Sequence, residues 1–236
     1  MHSACTADTT YDFPNLKRCL SKQTLMTVGF MRCHFYIRWF RSIEEVTNEL
    51  IGLYKDMGGN DYIGEAVTQA QHALQTYELA KNSGYGREVT LGAFFHDIGH
   101  LIGEKRGLKR MVTEGCIIGT HKHDKEGQAY LESLGFKGHT SNIVGMHVQA
   151  KRYLVTAIPG YYDKLSAASK MTLVHQGGPM SQEEVAAFDK HTLKEVVLEM
   201  RLWDEKAKDP TKYSTAEEVQ AGLQEISNLL SARQSA

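Results

Sequence analysis

The feature that most constrains this chain is a His-Asp pair inside an apolar run, Phe94-Phe95-His96-Asp97-Ile98-Gly99-His100. Burying an imidazole and a carboxylate together is costly unless something pairs them. Successive helical positions differ by about 100°, so both side chains can reach a point just off the helix axis. His100 lies four residues after His96 and projects from the same face. The fold has to bring partners to this point, and eleven histidines in 236 residues supply candidates.

Three positions stand out. His147 follows Ile143 and Val144 at helical spacing, on what should be a buried face. Asp204 continues a stripe begun by Val197 and Met200, with Trp203 beside it. A carboxylate at the end of an apolar stripe wants a cation. His72 shares a face with Glu65, Thr68, Gln69 and Gln75, while Val67, Ala70, Leu74 and Tyr77 supply the core side. A polar interior face suits the wall of a site. His123 heads the His-Asp-Lys-Glu-Gly run that begins a helix, and His121 is the alternative to it.

The periodicity around these residues is helical. Ser42 and Glu45 form a capping-box signature before Ile43, Val46, Leu50, Leu53 and Tyr54, and Gly58-Gly59 stops that helix. Further helices are expected at 65–82, 88–100, 124–134, 139–149, 161–175, 181–189 and 191–207. A last one, to about Ser231, opens on Ser214 and Glu217. Residues 101–122 read as a loop with room for a short strand or hairpin. No stretch alternates with period two, so the expected fold is all-α, with a catalytic domain over 42–232. Residues 1–41 show no clear period and read as an extension that weakly resembles an organelle transit peptide.

Composition narrows the function classes. The net charge of −1, with both signs interspersed, gives no basic stripe for nucleic acid. The most apolar stretch, Leu25 to Phe40, is interrupted by Arg32, His34 and Arg38 and is no membrane span. Cys5, Cys19, Cys33 and Cys116 form no Cys-x-x-Cys pair, which suits a reducing compartment and a cytoplasmic protein.

Taken in order, His72, His96-Asp97, His123, His147 and Asp204 resemble the ligand pattern of the HD-domain superfamily. The resemblance implies a helical bundle around a dinuclear centre. His72, His96, Asp97 and Asp204 would hold metal one; Asp97, His123 and His147 would hold metal two. Mixed imidazole and carboxylate ligands suit iron, manganese or zinc. Most such proteins hydrolyse phosphate esters, and a metal-dependent phosphohydrolase is the alternative function.

A narrower likeness rests on Asp61-Tyr62-Ile63-Gly64-Glu65, Lys151-Arg152-Tyr153-Leu154-Val155, Gln176-Gly177-Gly178-Pro179-Met180 and Trp203-Asp204-Glu205-Lys206. Over roughly 60–210 the chain is similar to the bacterial HD-domain mixed-valent diiron oxygenases that cleave organophosphonates, closest to the 2-amino-1-hydroxyethylphosphonate type. That family implies an Fe(II)/Fe(III) pair with O₂ as co-substrate. It also implies a small phosphonate substrate with an amino or trimethylamino group, and release of phosphate and a carboxylic acid. It implies Tyr62 as a removable ligand on metal two and Glu65 as the partner of the substrate amine. His100, Lys151, Ser169 and Thr172 would hold the phosphonate, with Arg152 and Gln176 in supporting places. Oligomeric state and the degree of N-methylation stay open.

Overall fold

The computed structural model describes residues 41–62 and 64–232; the expectations for the segment before residue 41, including its cysteines and the Leu25–Phe40 stretch, lie outside them. Ile43–Ala236 groups as one compact unit. Among the described residues there are eleven helices and one hairpin. They are α1 Ile43–Met57, α2 Gln69–Asn82, α3 Arg87–Phe95, α4 Ile98–Arg106, β1 Arg110–Thr113, β2 Cys116–Thr120, α5 His123–Ser133, α6 His139–Ala157, α7 Tyr161–Lys164, α8 Ala167–His175, α9 Gln182–Asp189, α10 Lys194–Lys206 and α11 Ala216–Ser231. No described helix is long and apolar enough to cross a membrane.

The core has two parts. On one side Leu50, Leu53 and Tyr54 of α1 pack with Leu223, Ile226 and Leu230 of α11 against Leu74, Phe94, Phe95 and Ile98. On the other, Ile143, Met146 and Ala150 of α6 pack with Val197, Met200 and Trp203 of α10. The histidines and aspartates project from helices that pack between these two clusters. Residues fully buried on both sides fix the helix positions, because one extra or missing methylene is felt in an interior packed this closely.

Local differences from the sequence expectations have local causes. The helix expected over 88–100 is broken at His96-Asp97, where Asp97 takes φ −104° and ψ 10° and α4 starts at Ile98. Gly99 lets α4 approach α5: a Cβ there would lie 1.9 Å from the His123 carbonyl oxygen. The 161–175 helix is two pieces, because the Ser166 side chain accepts the Ser169 N–H and caps α8. The helix expected to end at 149 runs on to Ala157. The final capping box is Thr215 with Glu218, one residue later than expected.

The 101–122 segment is mostly ordered structure. It contains the end of α4, closed by Gly107 at φ 64°, and an antiparallel hairpin pairing Val112 with Ile117 and Thr113 with Cys116. Glu114 and Gly115 both have positive φ, the geometry a tight hairpin turn needs. Thr113 Oγ1 meets His175 Nε2 at 2.8 Å and ties the hairpin to α8.

The helix expected from Glu65 begins only at Gln69, with Thr68 and Gln71 in a reciprocal capping box. Its polar face is also reassigned. Gln71 donates to the Tyr213 carbonyl, and Gln75 both donates to and accepts from the Asp209 backbone. These glutamines satisfy the chain as it leaves α10, where helical hydrogen bonding has ended. His72 belongs to the histidine cluster.

Candidate metal centre and anion pocket

Six side chains from four helices and one junction converge. His72 Nε2 lies 3.1 Å from His96 Nε2 and 3.3 Å from Asp204 Oδ1. His123 Nε2 lies 3.0 Å from His147 Nε2. Asp97 stands between the two groups. Its Oδ2 is 3.1 Å from His96 Nε2, and its Oδ1 is 3.4 Å from both His123 and His147. Asp97 lies in the break between α3 and α4, and its two oxygens face the two groups separately.

The hydrogen bonds behind the rings define their chemistry. His72, His96 and His147 each place Nδ1 at 2.8 Å from a backbone carbonyl, of Ala207, Ala93 and Val144 respectively. A carbonyl only accepts, so Nδ1 carries the hydrogen in each contact and the Nε2 edge of each ring is turned inward. Asp204 Oδ2 is taken by Arg201, while its buried Oδ1 has no hydrogen-bond partner and faces His72. Lone pairs and carboxylate oxygens turned on one another need a cation between them.

The same demand shows in the acid–base balance. Burial pushes the His96 imidazolium down, but the adjacent Asp97 carboxylate overrides this and lifts it to about 9. Burial likewise works to raise Asp97, and the neighbouring imidazoles hold it well below the ordinary carboxylate range. Asp204 is also held low, against burial, by Arg201 first. The donor set of imidazole nitrogens and carboxylates fits a divalent or trivalent transition metal. By spacing, His72, His96 and Asp204 form one potential ligand group, and Asp97, His100 and His123 another.

His100 differs from the other rings. Its Nδ1 accepts the Thr120 N–H at 3.0 Å, and burial holds the ring neutral, pushing it down to about 4. The hydrogen of a neutral imidazole is then on Nε2. That atom is a donor, suited to an anionic oxygen and unsuited to a metal. His100 stacks on His123 with centroids 4.0 Å apart. His121 is not part of the cluster; its backbone N–H closes the hairpin on the Lys109 carbonyl. Lys122, in the left-handed region at φ 56°, turns the chain so that His123 enters at the start of α5.

A cavity opens beside the cluster, lined by Tyr62, Glu65, His100, Lys151, Ser169 and Thr172 among others. Lys151 is 4% exposed, and its Nζ donates to Thr172 Oγ1 at 3.0 Å. Among the described residues no carboxylate lies within ion-pair distance of it. Burial, helped by Arg201, pushes the ammonium down to about 7. Thr172 in turn donates back into α8, to the carbonyls of Ala168 and Ser169, so it orients Lys151. Tyr62 donates to Asp97 Oδ2 at 2.8 Å and stacks on His72 with centroids 3.9 Å apart. An Asp61–Thr68 bridge pinches the base of the loop that carries Tyr62 and Glu65. Gln176 reaches the cavity, whereas Arg152 does not; it pairs with Glu184 and the Gly178 carbonyl.

Two cavity residues were missed in the sequence. Arg201 is buried and joins Asp204 and Glu205, with Nη2 at 3.4 Å from Ser169 Oγ. Its signal was present: it precedes Asp204 by three positions and so shares its helix face. Lys208 lies just past α10 and pairs with Glu65 at 2.6 Å, so Glu65 already has a cation. No periodicity marks a loop lysine for such a role.

No family model matches the chain. Curated proteins do. An uncharacterized protein of Acanthamoeba polyphaga mimivirus is 41% identical over 161 residues, covering 68% of this chain and 72% of that one. The glycine-betaine-forming 1-hydroxy-2-(trimethylamino)ethylphosphonate dioxygenase of Leisingera caerulea is 38% identical over 157 residues, 66% of this chain and 77% of the relative. The hydroxymethylphosphonate dioxygenase of Gimesia maris is 36% identical over 166 residues, 70% and 79% of the two chains. At these identities, over more than two thirds of each relative, and with a buried histidine–aspartate cluster opening on a cavity that holds Lys151 and Arg201, the chain belongs to the phosphonate dioxygenase family.

Proposed function

We propose that this chain is an O₂-dependent oxygenase that breaks the C–P bond of a 1-hydroxyphosphonate carrying an amino or trimethylamino group on the next carbon. The products are phosphate and glycine or betaine. The catalytic unit is an HD-domain bundle over residues 42–232 in a cytoplasmic protein. The observation that carries the substrate class is Lys151, an ammonium buried beside the histidine cluster with no carboxylate paired to it. A buried cation in that state suits a phosphonate dianion.

Two iron ions, one ferrous and one ferric, are the proposed cofactors. His72, His96, Asp97 and Asp204 would hold the first; Asp97, His123 and His147 would hold the second. Iron with O₂ would supply the redox chemistry, because an unactivated C–P bond offers water no easy electrophile. The protein's own side chains do the rest. Lys151, the His100 Nε2–H and the Arg201–Ser169 pair receive the phosphonate oxygens. Thr172 keeps Lys151 aimed. Glu65, once freed from Lys208, receives the substrate's ammonium. Tyr62, covering His72 and bonded to Asp97, is the group that substrate displaces, and until then it limits access to the cluster.

The test is metal analysis combined with O₂ uptake and phosphate release over a panel of 1-hydroxyphosphonates. Bound iron and O₂ consumption coupled to phosphate are expected. Phosphate release that persists without O₂, or a chain that carries no iron and consumes no O₂, overturns the reading.

A further inference from the structure

The two named dioxygenase relatives differ in what their substrates carry. One is named for a phosphonate with a trimethylamino group on its second carbon; the other is named for hydroxymethylphosphonate, which has neither. Their identities to this chain, 38% and 36%, do not separate them. The discrimination has to be read from the cavity.

Apart from Asp97 and Asp204, Glu65 is the only carboxylate among the described lining residues. Lys208 Nζ sits 2.6 Å from Glu65 Oε1, 3.4 Å from Ser166 Oγ and 5.9 Å from the centre of the Tyr62 ring. A carboxylate, a hydroxyl and an aromatic face are the groups that would receive a substrate's ammonium. Here the chain's own ammonium fills the place. Both partners are largely withdrawn from water, with side chains 16% and 14% exposed. One carboxylate does not neutralise two ammoniums in such a space. A substrate cation that took Glu65 would leave Lys208 unpaired in a cavity that already holds Lys151 and Arg201.

We propose that Lys208 is a specificity-determining residue: it competes with the substrate's ammonium for Glu65 and so sets the preference between amine-free and amine-bearing 1-hydroxyphosphonates. This rests on the phosphonate oxygenase reading above. Lys208→Met removes the competing charge and keeps most of the side chain's length. The effect appears in the ratio of two affinities, because a general loss of positive charge would weaken both ligands alike.

The experiment is anaerobic calorimetric titration of the iron-loaded chain with hydroxymethylphosphonate and with 2-amino-1-hydroxyethylphosphonate, so that binding is read without turnover. In Lys208→Met the amine-bearing probe should gain about tenfold in affinity relative to the amine-free one, the size of one modest charged interaction. In a Glu65→Gln background the same substitution should leave the ratio unchanged. Lys208→Gln, which drops the charge and keeps a hydrogen-bond donor, gives the same comparison if the methionine variant does not fold. A ratio that stays constant in Lys208→Met, or moves toward the amine-free probe, overturns the proposal and leaves the phosphonate reading intact. A wild-type chain that binds neither probe removes the reading, and the proposal with it.

Discussion

At the scale of single residues, the site is set by which atom of each ring carries its hydrogen. His72, His96 and His147 give Nδ1–H to carbonyls and turn Nε2 inward, whereas His100 is reversed by the Thr120 N–H. The division leads to separable outcomes. His72→Ala should lose one iron per chain and His147→Ala the other, while Asp97→Ala should lose both, as read by metal analysis of the purified variants. His100→Ala should keep both ions and weaken phosphonate binding by about tenfold or more, the order of one or two charge-assisted hydrogen bonds. Equal metal loss in all four variants would contradict the assignment. Tyr62→Phe removes the hydroxyl that meets Asp97 at 2.8 Å. It should retain both ions and raise substrate-independent iron oxidation; an unchanged oxidation rate counts against the covering role.

At the scale of elements, the decisive event is the break between α3 and α4. Sequence periodicity carried one helix from 88 to 100, because the apolar spacing runs straight through His96 and Asp97. Periodicity records which side chains are buried and is blind to a break of two residues within one turn. The break is tied to the contact at Gly99, where α4 backs onto the His123 carbonyl. Gly99→Ala should therefore push α4 and the His123 end of α5 apart. A loss of about 1–3 kcal/mol is expected, as for other overpacked interiors, read as a lower melting temperature together with reduced metal content. Wild-type melting with full iron would show that the contact yields without cost. The hairpin falls inside 101–122, where the sequence left room for one, but its register and the α7–α8 division were out of reach. The first depends on the turn at Glu114-Gly115, and the second on a serine side chain reaching three residues ahead.

At the scale of the whole molecule, the cluster's side chains come from segments far apart in sequence, and two buried carboxylates meet four inward imidazoles. Such a centre resists closing without cations. Iron should therefore stabilise the fold through linkage, by about 2.7 kcal/mol when free metal exceeds its dissociation constant a hundredfold. Removing iron with a chelator should lower the melting temperature, and restoring it should recover the loss; a melting temperature indifferent to chelation would argue against a metal centre here. Among the described residues the core clusters are built from positions after Ser42.

The sequence by itself determined the class of fold and the identity of the cluster. Helical spacing of apolar residues is a local property, so it marked most helices to within a few residues. Ionisable residues on apolar stripes stand out wherever the stripe is legible, as His147 behind Ile143 and Asp204 behind Met200 do. The tertiary structure decided everything that depends on which groups meet across the chain. It selected His123 over His121 through the turn at Lys122, and gave Gln75 to the Asp209 backbone. It also brought Arg201 to Ser169 and paired Lys208 with Glu65 across 143 positions. Burial leaves a periodic trace in the sequence because every turn of a helix repeats it. A hydrogen bond or ion pair between distant residues leaves none, since its energy depends on a few tenths of an ångström that only the packed interior fixes.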